Sequence, residues 1–291
     1  MTFEPTVSVI VPVFNSQETI EDCLDSLLQL DYPKRNIEII AVDNGSTDQT
    51  LSILERRAAE IVLLHEPKRG PAAARNRGLL NANGQVAAFT DSDCIVESNW
   101  LRSIVSALQE KQVGAAGGRI LAKIPCNRIG QFGELIHDHH NAIEVCEPPY
   151  VITMNWASRL SVLKDLKFFD ETFTRCEDVD LSYRLLQAGY DFRYVPDAII
   201  YHRNESTLGG LLHEGFLHGY YAVLALKRHR HFLEQMGHRR SLLNTYRNLG
   251  SRLLDCLGEQ NRMESACGFV FQMGKAFGKI SGSIRYGAWE P

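Results

Sequence analysis

Residues 7–15 read Val-Ser-Val-Ile-Val-Pro-Val-Phe-Asn, and most of the run is apolar and β-branched. Such a run fits a strand buried on both faces, as in a parallel sheet. Pro12 near its end signals that the strand is stopping. Outward from it, residues 17–30 place Ile20, Leu24, Leu27 and Leu28 at helical period. A second buried strand is predicted over 37–42, ending at Asp43, then a helix over 47–59 capped by Ser46 or Thr47. A strand over 61–64, a helix over 71–80 opening on Pro71, a strand over 86–89 and a helix over 99–108 follow. Strand and helix thus alternate at short spacing through the first 110 residues, which implies a mostly parallel, doubly wound α/β sheet. Ligands of such sheets sit at the carboxyl ends of the strands. Those ends carry Asn15, Asp43, His65-Glu66 and Asp91-Ser92-Asp93.

Beyond residue 110 the pattern loosens. Strands are predicted over 114–122, 150–154, 192–195 and 199–201, with helices over 129–143 and 178–188. From about residue 208 the chain reads as helical to about 284. It has 291 residues, 44% of them hydrophobic, enough to bury a full core. The net charge of −4 conceals a split: residues 206–291 hold eleven Lys and Arg against six acids, net +5, leaving −9 on the rest. That split hints at a basic surface near the C-terminus. Seven scattered cysteines without a paired spacing read as reduced thiols, mostly core residues. The opening residues lack the pattern of a signal peptide. No apolar stretch of about 18 residues is present to cross a bilayer.

Taken singly, the polar clusters allow two readings each. Asp91-Ser92-Asp93 at a strand end is either a helix cap with solvated acids or a site for a hard divalent cation. The run 43–48 suits simple turn chemistry, with Asp43 at the strand tip able to accept hydrogen bonds from a base or ribose. Residues 70–78 open a helix with small side chains; Arg75 is either solvated or reaches a phosphate. Glu177-Asp178-Val179-Asp180 is either favourable placement at a helix N-terminus or a general base. His137, Asp138, His139 and His140 are either a metal cluster or a solvated helix surface, and the surface is preferred because adjacent helical positions point apart.

The order of these pieces is more specific than any one of them. Val-Pro-Val-Phe-Asn at 11–15, Asp43-Asn-Gly-Ser-Thr-Asp48, Gly70-x-x-x-Ala-Arg75-Asn76-x-Gly78, Asp91-Ser-Asp93, Glu177-Asp178-x-Asp180-Leu181-Ser182-x-Arg184 and His202 follow one another. This series resembles the family 2 inverting glycosyltransferases of the GT-A fold, over about residues 5–205. The resemblance implies a GT-A catalytic domain over 1–205, with a nucleotide-sugar half over 1–110 and an acceptor-side half over 111–205. A helical extension then covers 206–291.

The resemblance also implies roles. Pro12, Phe14, Asp43, Arg75, Asp91 and Ser92 would bind the donor, with Asp43 at the nucleobase and Arg75 on the nucleotide. Asp93 and His202 would ligate a divalent metal, Mn or Mg. Asp178 would be the catalytic base, and Glu177 and Trp156 would face the acceptor. The helix N-terminus should lower the pKa of Asp178, while Glu177 and Asp180 push it the other way. The donor would be a nucleotide diphosphate sugar, most commonly a UDP-sugar, with dTDP and GDP open. The acceptor would be a saccharide or a lipid-linked sugar in cell-surface polysaccharide or glycolipid assembly. No Gln-x-x-Arg-Trp follows the Glu-Asp pair, which favours adding one or a few sugars over processive synthesis. Asn44 departs from the Asp of many relatives. The basic and apolar tail suits a helix lying in a membrane interface, or a packing or dimer element. The implied location is cytoplasmic, peripheral at the inner face of the membrane, with no nucleic-acid partner and an oligomer possible. Two rivals differ in class. A sugar nucleotidyltransferase would need a Gly-rich loop after the first strand, where Pro12–Ser16 stands. A non-catalytic scaffold of the same fold would be expected to lose Asp93, Asp178 or His202, and all are present.

Overall fold

The β-branched run at the start forms β1 (Val7–Val13), buried along its whole length except at Pro12. In this computed structural model, which describes residues 3–237 and 262–288, β1 lies inside an eight-stranded sheet. It pairs in parallel with β2 (Ile37–Asp43) and β4 (Val86–Phe89), and β2 pairs in parallel with β3 (Val62–His65). Successive residues of β1 face opposite sides. Val7, Val9, Val11 and Val13 join one core with α1 (Ile20–Leu28), whereas Ile10 joins a second core with α3 (Pro71–Asn81). A helix on each face is the doubly wound arrangement that the alternating pattern implied. The small residues of α3 permit its close approach: a Cβ on Gly78 would stand 2.5 Å from the Ile10 side chain. The shorter α2 (Thr50–Arg56) connects β2 to β3.

Past β4 the sheet continues through β7 (Trp156–Arg159), β6 (Val113–Ala122), β8 (Asp191–His202) and β5 (Cys94–Val96), giving the order β3-β2-β1-β4-β7-β6-β8-β5. The β4–β7, β6–β7 and β5–β8 pairs are antiparallel, so the sheet is mixed. The two late strands predicted over 192–195 and 199–201 are one strand, β8. The strand predicted over 150–154 is absent; β7 lies further along. Its polar backbone groups explain the difference: the Val151 N–H donates to Ser182 Oγ at 3.0 Å and the Ile152 N–H to His139 Nε2 at 2.8 Å. With those donors taken by side chains, the apolar stretch has no ladder to join. Around the sheet lie α4 (Trp100–Ser106), α6 (Leu160–Asp165) and α7 (Glu177–Gln187).

The chain divides into two units, residues 1–121 with 138–202, and residues 122–137 with 203–291. The helix predicted over 129–143 accordingly stops early, as α5 (Arg128–Ile136) in the second unit. Of the histidine run only His140 is exposed, and the other two are not on a solvated surface. His139 is 2% exposed and bridges Gly118 O, at 2.8 Å, and the Ile152 N–H. His137, 7% exposed, sits in the second unit between Asn204 and Glu214. These partners are distant in sequence, which is why helical spacing alone misplaced them.

The second unit is helical: α5, α8 (Leu208–Arg228), α9 (Arg230–Gln235) and α10 (Arg262–Tyr286). Glycines let α8 and α10 meet backbone to backbone. A Cβ on Gly219 would lie 2.1 Å from Lys275 O, and one on Gly278 would lie 2.0 Å from Phe216 O. The basic stretch His238-Arg239-Arg240 falls outside the described residues. No described helix is long and apolar enough to cross a membrane.

Candidate functional site

The parallel registers Val13↔Asp43 and Asp43↔His65 align the strand tips, so the polar residues that follow them share one edge of the sheet. Arg75, on the second turn of α3, is the organising side chain there. It is 3% exposed and not solvated. Its Nη2 donates to Asp91 Oδ1 at 2.7 Å and its Nη1 to Glu177 Oε1 at 2.6 Å. One guanidinium therefore ties the turn after β4 to the first turn of α7. Burial works against its charge, but Asp91 and Glu177 outweigh that and hold its pKa above the ordinary value. Arg75 Nε is buried with no hydrogen-bond partner among the described residues. A buried cationic donor left unpaired is costly, and an anionic ligand oxygen would relieve it.

The three acids at the start of α7 have different fates. Glu177 is taken by Arg75. Asp180, 1% exposed, is taken by Arg184 at 2.8 Å, and that arginine also donates to Leu166 O and Phe168 O. Asp178 makes no ion pair among the described residues and is half-buried. It accepts hydrogen bonds from the Val179 and Thr153 backbone. Burial, then the charge of Glu177, push its pKa up to about 7 despite those bonds and Arg75. The lowering expected from the helix N-terminus is therefore outweighed.

The antiparallel register Cys94↔His202 brings the end of β8 beside the Asp-Ser-Asp turn. His202 Nε2 stands 3.5 Å from Asp93 Oδ2, and Asp93, Cys94 and His202 form a group close enough to hold one ion. Burial, with the charges of Asp93 and Asp91, pushes the Cys94 thiol well up, and it donates weakly to Asp93 Oδ1. Oxygen and imidazole are therefore the ready ligands, a set that suits a hard or borderline divalent cation. Ser92, 8% exposed, shares a 2.6 Å hydrogen bond with Ser16 Oγ, which fixes the turn against the tip of β1.

The structure sorts the remaining sequence candidates less evenly. Pro12 lies within β1 opposite Val42. Phe14 is 47% exposed just past the tip, with the Arg69 guanidinium over its ring. Asp43 is the last residue of β2, at the strand tip as expected, and its carboxylate reaches into the turn, accepting the Gly45 N–H at 3.1 Å and the Ser46 N–H at 3.2 Å. Trp156 is not at a surface. It is fully buried, with its indole donating to Ser158 Oγ at 2.6 Å and its ring packed on Phe169. Phe169 in turn lies beneath Arg75, so Trp156 stands two contacts from the cluster. Asn44 stands out in the sequence only as a departure from the Asp of many relatives, and nothing in the sequence marks Arg69 as part of this edge. Only the turn residues Gly45 and Gly70 beside them hinted that their backbone comes close.

Residues 8–167 match the family model for glycosyl transferase family 2. Glycosyltransferase AglE of Haloferax volcanii is 31% identical over 202 residues, 67% of this chain and 66% of that protein. A pre-mycofactocin glycosyltransferase of Mycobacterium tuberculosis is 31% identical over 235 residues, 76% of this chain and 48% of its own length. The chain therefore spans between about half and two thirds of these relatives. Among solved structures, the mannosyltransferase PcManGT from Pyrobaculum calidifontis, in complex with GDP-Man and Mn2+, superposes with a TM-score of 0.71 at 20% identity, covering 96% of this chain and 88% of that one. S. aureus TarS 1–349 in complex with UDP-GlcNAc superposes with a TM-score of 0.58 at 18% identity, covering 97% of this chain and 92% of that one. These two likenesses concern the fold.

Proposed function

The chain belongs to glycosyl transferase family 2, and we propose that it moves a sugar from a nucleotide diphosphate donor to an acceptor hydroxyl, with inversion and with the help of a divalent cation. The observation that carries this reading is the double ion pair of Arg75, which joins a diphosphate-side turn to the helix bearing Asp178. Arg75 Nε, unpaired and buried, is placed to donate to a donor phosphate oxygen. Asp93 and His202 would hold Mn2+ or Mg2+, which when bound neutralises charge on the departing diphosphate. Asp178 would take the proton of the attacking hydroxyl, and a pKa near 7 makes it a stronger base than an ordinary carboxylate. Attack from the face opposite the leaving group inverts the anomeric centre in one displacement. Asp91 and Ser92 would border the donor, as would Pro12, Phe14 and Asp43, with Glu177 at the acceptor. Trp156 would act from beneath, by supporting Phe169.

Solved neighbours hold GDP-Man or UDP-GlcNAc, which supports a nucleotide-sugar donor here; a UDP-sugar is the donor we propose. Residues 1–205 would form the catalytic domain and 206–291 its helical extension, acting non-processively on a saccharide or lipid-linked acceptor in cell-surface polysaccharide or glycolipid assembly. The second unit supports a peripheral site at the inner face of the cytoplasmic membrane. Lys227 Nζ bonds Tyr286 O at 2.6 Å, so the basic end of α8, Lys227 and Arg228, meets the end of α10. There Ile284 is 75% exposed and Phe277, two turns back, 57%. Cations beside exposed apolar groups suit an anionic lipid interface. The direct test of function is release of nucleoside diphosphate from a panel of nucleotide sugars with Mn2+. Release from none of them, with or without candidate acceptors, would refute the reading.

A further inference from the structure

Residues 151–153 belong to no strand, and three side chains receive their N–H groups instead. The Val151 N–H donates to Ser182 Oγ at 3.0 Å, the Ile152 N–H to His139 Nε2 at 2.8 Å, and the Thr153 N–H to the Asp178 carboxylate. Ile152 is extended, with φ −92° and ψ 126°, so successive N–H groups alternate in direction. Val151 and Thr153 therefore point to one side, toward α7, and Ile152 points to the other, toward His139.

Spacing explains the fit. Two residues of extended chain advance about 6.6 Å, and four residues of helix rise about 6.0 Å. Asp178 and Ser182, four apart on one face of α7, thus present two acceptors at the interval of two strand N–H groups. The helix stands in place of a neighbouring strand. On the other side His139 is held in one tautomer. Gly118 O only accepts, so Nδ1 carries the proton and Nε2 offers its lone pair to Ile152. Gly117 leaves room for the ring, because a Cβ there would overlap it. Val151 and Ser182 are fully buried and Thr153 is 4% exposed, so water does not replace a lost partner. A slip of the segment by one residue would turn Thr153 away from Asp178.

Resting on the function proposed above, we propose that Ser182 and His139 are positioning residues for the base, setting the register of residues 151–153 so that the Thr153 N–H donates to Asp178. That bond favours the ionised carboxylate, the form that takes the proton of the acceptor. Burial and Glu177 oppose ionisation; the Val179 N–H, Arg75 on α3 and the Thr153 N–H favour it. Tyr150 and Tyr183 also lie in the field of Asp178, and burial keeps both phenols protonated.

The titration midpoint of the Asp178 carboxyl tests this, read by carbon NMR of protein labelled at aspartate and assigned with Asp178→Asn. In Ser182→Ala the midpoint should rise by about one pH unit, the scale of a hydrogen bond to a charged group. The acidic limb of kcat/KM should move up with it, while calorimetry finds the affinity for UDP in Mn2+ unchanged. His139→Ala should act in the same direction. His139→Gln should restore most of the wild-type midpoint, because an amide also donates to Gly118 O and accepts from Ile152. If His139→Ala fails to fold, Ser182→Ala decides. An unmoved midpoint in Ser182→Ala overturns the proposal, with or without a change in transfer. A midpoint that moves as expected in a protein whose wild type transfers no sugar supports the positioning and refutes the proposed function.

Discussion

The turns after β2 and β4 look alike in sequence, each an apolar strand running into acids, yet the fold uses them differently. Asp43 spends its carboxylate mainly on the Gly45 and Ser46 N–H groups of its own turn. Asp91 and Asp93 face outward to Arg75 and His202. The first turn of α7 repeats the contrast within one helix. Asp180 is locked to Arg184, whereas Asp178 is left without an ion pair among the described residues. The difference teaches that acidic residues at strand tips and helix starts divide by partner, not by position. Within α7 the acid satisfied by the chain, Asp180, should govern stability, and Asp178 should govern chemistry.

The sharpest way to break this comparison is to exchange carboxylates on the two sides of it. Asp178→Asn should lower transfer by about 10²-fold or more. Its donor binding should be intact and its melting temperature equal or higher, since a poorly solvated charge is removed. Asp180→Asn should do the opposite. We expect a loss of about 2–3 kcal/mol in unfolding free energy, from a buried ion pair and its hydrogen bonds, measured by denaturant titration. A large stability loss from Asp178→Asn, or none from Asp180→Asn, would erase the distinction.

Asp93→Ala and His202→Ala sharpen it at the other end. Each should weaken Mn2+-dependent nucleotide binding by about tenfold, and chelation should reduce the wild type to the same level. Normal metal-dependent binding by the histidine variant would leave His202 a structural residue. The smallest effect lies in the second unit, where the basic end should respond to lipid charge. Lys227→Glu with Arg285→Glu should reduce co-sedimentation with anionic vesicles at low salt by a few-fold, and added salt should do the same to the wild type. If the intact chain never sediments with such vesicles, the tail is a packing element.

The parallel half of the fold was legible because β1, β2 and β4 are continuous apolar runs, which only a sheet covered on both faces explains. The constellation at the strand tips was legible from the order of its motifs. What escaped was set by partners distant in the chain. The stretch at 150–154 has the composition of a strand, but Ser182 and His139 take its N–H groups. His139 itself looked solvated until Gly118 and Ile152 enclosed it. Trp156 was expected at the acceptor, and its pairing with Phe89 across β4 and β7 turns it into the core instead. No local pattern encodes such contacts.

The most direct measurement is the pH dependence of transfer and of stability on the same wild-type protein. Asp178 has its pKa raised from near 4 to about 7 in the folded chain. Between those values the folded state binds the extra proton, so stability should fall as pH rises from about 4 to about 7 and level off above. Transfer needs the ionised base, so kcat/KM should climb about tenfold per pH unit over the upper part of that window and level off near 7. The account predicts these opposite slopes, and predicts that Asp178→Asn flattens both. A kcat/KM that stays constant down to pH 5 would contradict it.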